Sequence, residues 1–278
     1  MSWWEAILLG AVEGFTEFLP VSSTGHLTIL ESALGYSTSD PDVTAFTAII
    51  QVGAVAATIF YLRADIVRIV GAWLRGLGNR DERGDRDYRF AWAVILGSLP
   101  IAIVGLAFKD QIETTLRSLW FVAWALILWS GVMWFADSRA TQERHEDDVT
   151  WRDTLIIGLV QCLALIPGVS RSGATMSAGL LRGIDRVAVT RLAFFLSIPA
   201  LTGAGILQTI TEFDRISSGV GWGPTLLATA VSFIVALAAV SWLLRYIARH
   251  TYSVFIIYRV ALGTLLLALL SAGVLSPT

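Results

Sequence analysis

Charge is scarce in this chain. Only 15% of its 278 residues are Asp, Glu, Lys or Arg, against 55% that are hydrophobic, and the mean hydropathy is +0.67. A soluble globular chain carries roughly 25% charged residues, so this one lacks the polar surface that a water-soluble fold needs. Cysteine is nearly absent: Cys162 stands alone, which excludes a disulfide scaffold. A formal net charge of −2 supplies no basic field for nucleic acid, and the apolar content excludes a disordered chain. No Lys or Arg precedes Arg63, whereas Glu5, Glu13 and Glu17 do, so the basic start of a cleavable signal peptide is missing. What is left is a polytopic membrane protein.

A bilayer-crossing helix needs about 20 predominantly apolar residues. Six segments qualify, at 44–62, 90–108, 118–136, 187–210, 224–248 and 253–275. Two further apolar stretches are interrupted. One covers 3–34 and breaks at Pro20 and Ser22-Ser23-Thr24-Gly25; the other covers 154–182 and breaks at Pro167-Gly168 and Ser170-Arg171-Ser172-Gly173. Each reads as a short helix, a polar loop and a second short helix, the pattern of a re-entrant hairpin. The fold expected is therefore all-α: one integral membrane domain over residues 1–278, with six transmembrane helices and two re-entrant helical hairpins.

The basic residues set an orientation. The 63–89 stretch, read as a loop, holds seven arginines, and Arg139, Arg144, Arg152, Arg182, Arg186, Arg245 and Arg249 make fourteen on one side. Lys109, Arg117 and Arg215 lie on the other. By the positive-inside rule the first group is cytoplasmic, which leaves both termini outside and has the first hairpin enter from the outer face. Six of the eleven tryptophans (Trp3, Trp4, Trp73, Trp120, Trp151 and Trp222) lie near segment ends and fit an interfacial belt.

Sliding the chain on itself by 148 residues aligns Gly10–Gly25 with Gly158–Gly173 without a gap. Gly10/Gly158, Val12/Val160, Val21/Val169, Ser22/Ser170 and Gly25/Gly173 are identical pairs. Since the two hairpins enter from opposite faces, the match reads as an inverted-topology repeat, with halves near 1–136 and 150–278. Its two loops would meet near the midplane, each followed by a helix whose free N–H groups point at the loop. Two helix N-termini converging on one spot form an anion site.

Polar residues cluster at that spot. Glu13 and Glu17, at i and i+4, share one helix face, where like charges call for a cation between them or a shared proton. Outer-face carboxylates in water are the plainer alternative. A hard divalent ion, Mg²⁺ or Ca²⁺, suits such oxygen ligands. Ser22, Ser23, Thr24 and His26 follow; Ser22 and Thr24 suit helix capping as well as ligand binding, while Ser23 and His26 suit nucleophilic or acid–base chemistry. A guanidinium at membrane depth needs an anionic partner, so Arg171 binds either phosphate or one of the two glutamates. Ser170, Ser172 and Thr175 add hydroxyls beside it. Gln51 is expected to hydrogen-bond between helices, Arg191 and Arg259 to snorkel, with Arg259 deep enough to need a partner.

These residues carry a resemblance. Glu13-Gly-Phe-Thr-Glu17-Phe-Leu-Pro-Val-Ser-Ser-Thr-Gly-His26 and Pro167-Gly-Val-Ser-Arg-Ser-Gly-Ala-Thr175 resemble, at every fixed position, the two signatures of the bacterial undecaprenyl-diphosphate phosphatase family linked to bacitracin resistance. The resemblance covers the chain in length and span order. It implies a hydrolase of the bacterial inner membrane that removes the terminal phosphate of a polyprenyl diphosphate lipid. The product is recycled for peptidoglycan synthesis, and the site opens to the outer face. On that footing Arg171, Ser170, Ser172, Thr175, Ser22 and Thr24 bind the diphosphate, and Glu13 and Glu17 hold the divalent cation or act as base. Ser23 attacks with His26 as its acid–base partner; attack by His26 or by water stays open. The expected partners are the lipid substrate and membrane lipids, with a homodimer open and nucleic acid excluded. A lipid-phosphate transporter is the alternative class, since broken helices meeting at the midplane also suit secondary transport.

Overall fold

A computed structural model of the chain, described for residues 1–37, 40–108 and 118–276, is built from α-helices with short 3₁₀ turns. Lys109 and Arg117 lie outside the described residues. Six helices are long and apolar enough to cross a membrane: α3 (Pro41–Tyr61), α5 (Arg86–Ala107), α6 (Leu119–Arg139), α9 (Arg186–Thr211), α11 (Trp222–Ile247) and α12 (Ser253–Ser271). Their ends agree with the apolar runs because capping residues stand there. Asp40 caps α3 with Pro41 at its first position, and Asp85 and Asp185 accept from first-turn amides of α5 and α9. Large apolar side chains such as Ile103, Leu128, Ile234 and Ile257 are mostly exposed on the spans. A chain that turns these residues outward belongs among lipid tails. It is a multi-pass membrane protein.

The interrupted stretches form helix pairs. The first comprises α1 (Trp3–Thr16) and α2 (Ser23–Ala33); the second comprises α7 (Trp151–Gln161) and α8 (Arg171–Leu181). At 1.5 Å per residue none of the four covers the roughly 30 Å of a bilayer core. Backbone-to-backbone approach fixes the first helix of each pair. A Cβ added at Gly10 of α1 would collide with the Ala228 carbonyl of α11, and one at Gly158 of α7 with the Gly97 carbonyl of α5. Gly10 and Gly158 are the same position in the 148-residue offset, and each lets its helix lie directly on a span.

One expectation changes. The 63–89 stretch is not a loop: it folds as α4 (Arg63–Gly78) and a 3₁₀ turn at Arg80–Gly84. Ile69, Ala72 and Gly76 of α4 are buried, while Val67, Val70 and Leu74 remain exposed among its arginines. The dense arginines hid a 3.6-residue apolar period that burial against the bundle makes decisive.

The arginine-rich segments do gather at one end. Arg191 pairs with Asp65 at 2.9 Å and with Glu146 at 2.6 Å, Arg86 reaches Glu146 at 3.2 Å, and Arg186 holds Asp137 at 2.7 Å. Arg191 therefore has carboxylate partners and does not snorkel. Buried Asp153 collects five donors: Nη1 and Nη2 of Arg144 at 3.0 and 2.6 Å, Nε of Arg182 at 2.9 Å, and the amide and hydroxyl of Thr150 at 2.9 and 2.7 Å. Burial pushes its carboxyl up, but the hydrogen bonds from Arg144, Thr150 and Arg182 outweigh it and hold the carboxyl well below the usual carboxylate range. The stabilisation is fully present above the unfolded value of about 4 and is lost as pH falls through the lower folded value. Thermal unfolding in detergent should show a midpoint that drops below about pH 4. Asp153→Asn should flatten that slope and cost about 1.5–3 kcal/mol at neutral pH, because two partly exposed arginines lose the buried carboxylate that accepts their hydrogen bonds. An unchanged acid slope in the variant would remove Asp153 from this role.

Candidate active site

Chain geometry at the two loops is alike and unusual. Ser22 has φ 74° and Ser170 has φ 76°, left-handed values that non-glycine residues rarely adopt. Each is the N-cap of the helix that follows, and each hydroxyl accepts from an amide three residues on, Gly25 at 3.3 Å and Gly173 at 3.1 Å. Ser23 and Arg171 are thereby the first residues of α2 and α8, again 148 positions apart. The first two amides of each helix, ahead of the capped Gly25 and Gly173, lie outside the intrahelical hydrogen-bond ladder, so both ends favour an anion.

The loops are stitched together. The Gly168 amide donates to Ser22 Oγ at 3.1 Å, and Ser172 Oγ donates to the Leu19 carbonyl at 2.7 Å. Glu17, almost fully buried, then joins the chemistry of both halves. One carboxylate oxygen accepts from the Ser23 hydroxyl in a short hydrogen bond; the other accepts from Arg171 Nη2 at 2.6 Å. The glutamate alternative for Arg171 is thus realised, but it uses one nitrogen. Arg171 Nε is buried and has no hydrogen-bond partner among the described residues. A guanidinium with an unused donor beside two helix N-termini is set to take a second anion.

A cavity of about 510 Å³ opens on this group. Glu17, Ser23, Thr24 and Arg171 form its polar end, and Ile101, Leu106, Leu201 and Leu207 of α5 and α9 belong to a long apolar wall. An adjoining cavity of about 230 Å³ is lined by Glu13, Glu17, Thr44, Thr47, Gln51 and Gln208 among others. Gln51 donates to the Ala48 carbonyl of its own helix at 2.8 Å, so it faces the cavities rather than bridging helices.

The carboxylates, Gln51 and Gln208 carbonyls and threonine hydroxyls of the smaller cavity are hard oxygen donors of the kind Mg²⁺ and Ca²⁺ accept. No cluster of three or more His, Cys, Asp or Glu that could hold a metal occurs among the described residues. The donor set therefore fits an ion that takes one or two carboxylates and completes its shell with water and phosphate.

The remaining sequence-predicted residues divide. Thr175 is fully buried and donates to the Arg171 and Ser172 carbonyls at 3.0 Å, so it secures the first turn of α8 and lines neither cavity. Ser172 likewise spends its hydroxyl on the loop contact. His26 does not meet Ser23. Its Nδ1 lies 2.7 Å from the Ser22 carbonyl, which can only accept, so Nδ1 carries the proton and Nε2 accepts from the Tyr258 hydroxyl at 2.6 Å. Arg259, instead of snorkelling, is fully buried beneath the loops. Tyr258 and Arg259 are the contributors that spacing alone could not link to the motifs, because they sit some 230 residues away from the first loop.

Residues 6–265 match the model of a family described as bacitracin resistance protein BacA. The chain is 68% identical to undecaprenyl-diphosphatase 3 of Frankia casuarinae over 99% of each chain. It is 56% identical to undecaprenyl-diphosphatase 1 of Streptomyces avermitilis over 98% of each. Identity to the undecaprenyl-diphosphatase of Mycobacterium bovis is 46% over the whole of both chains.

Proposed function

The chain belongs to the bacitracin resistance protein BacA family, and on that premise we propose that it is an undecaprenyl-diphosphatase whose reaction is centred on Glu17. It converts undecaprenyl diphosphate and water to undecaprenyl phosphate and phosphate. One observation carries the assignment of roles: the two oxygens of Glu17 hold the Ser23 hydroxyl and the Arg171 guanidinium at once. A nucleophile, its base and an anion-binding cation thus share one carboxylate.

In the proposed reaction the prenyl chain lies along the apolar wall of α5 and α9 while the diphosphate enters the polar end. Arg171 receives the terminal phosphoryl oxygens through its unused donors, together with the first amides of α2 and α8. Ser23 Oγ attacks the terminal phosphorus as its proton passes to Glu17. The bond to the bridging oxygen breaks, and the lipid monophosphate leaves with the proton that Glu17 returns. Water, deprotonated by Glu17, then attacks the phosphoserine; phosphate departs and Ser23 regains its proton. Phosphoryl transfer asks mainly for positioning and neutralisation of charge, which these groups supply.

Glu17 therefore takes the acid–base part that the sequence reading gave to His26, because it touches the Ser23 hydroxyl and His26 does not. His26 holds the Ser22 peptide from behind. Glu13 and Glu17 would hold the divalent cation, whose chemistry when bound is to neutralise charge on the diphosphate. The arginine-rich end is cytoplasmic in this reading, so the site opens toward the outer face of the bacterial cell membrane and both termini lie outside.

The test is phosphate release from undecaprenyl diphosphate by the purified protein in detergent. A chelator should lower release at least about tenfold and added Mg²⁺ or Ca²⁺ should restore it. Glu13→Gln should raise the cation concentration needed for half-maximal activity. Movement of labelled lipid phosphate across sealed vesicles without release of phosphate would instead favour transport. Full activity in chelator would remove the cation.

A further inference from the structure

Arg259 is the seventh of the nineteen residues of α12, fully buried, and lines neither cavity. Five hydrogen bonds leave its guanidinium. Nε reaches Ser130 Oγ at 3.1 Å, Nη1 the Pro20 carbonyl at 3.3 Å, and Nη2 the Gly168, Val169 and Leu126 carbonyls at 2.8, 3.1 and 3.5 Å. Every partner is a neutral oxygen, and no carboxylate pairs with Arg259 among the described residues. An intramembrane cation without a counter-charge is expensive and calls for a purpose.

The acceptors suggest one. Pro20 belongs to the first loop and Gly168 to the second, and they are 148 residues apart, the same position in the two halves. Pro20 lies two residues before Ser22, and Gly168 two before Ser170, the left-handed caps that launch α2 and α8. One side chain therefore holds the backbone of both loops from below, immediately ahead of the helices that present Ser23 and Arg171. The preceding residue, Tyr258, reaches the first loop separately through His26 and the Ser22 carbonyl.

We infer that Arg259 is a positioning residue, a clamp across the two loops that sets Ser23 and Arg171 in register on Glu17. Its effect on turnover rests on the diphosphatase reading above; the clamp itself rests on geometry. The fork matters as well as the charge. A guanidinium spreads its donors over a plane wide enough to engage Pro20 on one side and Gly168 and Val169 on the other, whereas a lysine ammonium is a single point that cannot span both. Small errors of register are costly to transfer chemistry, since a misplacement of about 1 Å can lower the rate about a hundredfold.

The experiment compares wild type, Arg259→Lys and Ser130→Ala, each full-length, in detergent, with activity normalised to folded protein. Two readouts are taken: steady-state phosphate release from undecaprenyl diphosphate, and amide hydrogen exchange of peptides covering residues 17–26 and 163–174. Arg259→Lys should lower kcat at least about tenfold with KM within about threefold, since the substrate-binding groups remain but their alignment loosens. Exchange should quicken about tenfold in both peptides together, with amides of α11 unaffected. Ser130→Ala, which removes only the Nε acceptor, should lower kcat about threefold to tenfold, and it decides the matter if Arg259→Lys does not fold. A folded Arg259→Lys with kcat within twofold of wild type, or exchange that quickens in only one peptide, overturns the clamp. If wild type itself releases no phosphate, the diphosphatase reading falls, and the exchange data alone uphold or reject the clamp.

Discussion

Arg171→Ala is expected to lower turnover at least about a hundredfold, the loss seen when a main transition-state contact is removed. The substitution takes away both jobs of this guanidinium. It removes the donors that would meet the phosphoryl oxygens as charge shifts onto them, including the buried Nε that none of the described residues engages. It also removes the cation that holds one oxygen of Glu17 at 2.6 Å, so the base is released from its orientation toward Ser23. Arg171→Lys separates the two effects. It keeps a positive charge but not the bidentate fork, so its activity should fall between those of wild type and alanine. Phosphate release by purified, monodisperse protein measures this directly. Near-normal release from Arg171→Ala would end the assignment of the phosphoryl site to this loop.

Glu17→Gln is the second large effect, again at least about a hundredfold, within the range of a lost acid–base catalyst. Glutamine preserves size and hydrogen-bonding reach, so the cavity keeps its shape while the proton acceptor for Ser23 disappears. The variant also leaves Arg171 buried without its counter-charge, which should shift the melting temperature. Activity must therefore be expressed per folded molecule. Ser23→Ala should match the loss if serine is the nucleophile, and combining it with Glu17→Gln should add little, because the two act as one unit. Retained turnover in Ser23→Ala would turn the mechanism to water or His26.

Much of this was legible in the sequence. Composition and apolar run length fix the six spans, since a bilayer imposes one length and forbids charge. Pro20, Pro167-Gly168 and the serine-rich loops mark the breaks, because each interrupts a helix for a local covalent reason. Glu17, Ser23 and Arg171 stand out as polar groups in expensive surroundings, and the structure brings them together. What escaped depends on the third dimension. The partner of Ser23 is set by which side of α2 turns toward α1, and this favours Glu17 over the nearer-looking His26. Thr175 sits within the motif but is consumed by its own helix. Helix α4 was hidden because its amphipathic period shows only once the bundle supplies a surface for Ile69 and Ala72. The role of Arg259 needed both loops in view, since neither contact is close in sequence.

The paired loops at Ser22 and Ser170 have a further consequence for division of labour. Two copies of one polypeptide facing each other across a two-fold axis must present identical residues: arginine against arginine, or serine against serine. Joining both halves in one chain lifts that constraint. At matching positions this protein carries Ser23 and Arg171, Glu17 and Leu165, His26 and Ala174. In the proposed reaction one half supplies the nucleophile and its base, the other the cation, on backbones bent the same way. The reacting group and its electrostatic complement can thus change independently, while the shared bend keeps them face to face.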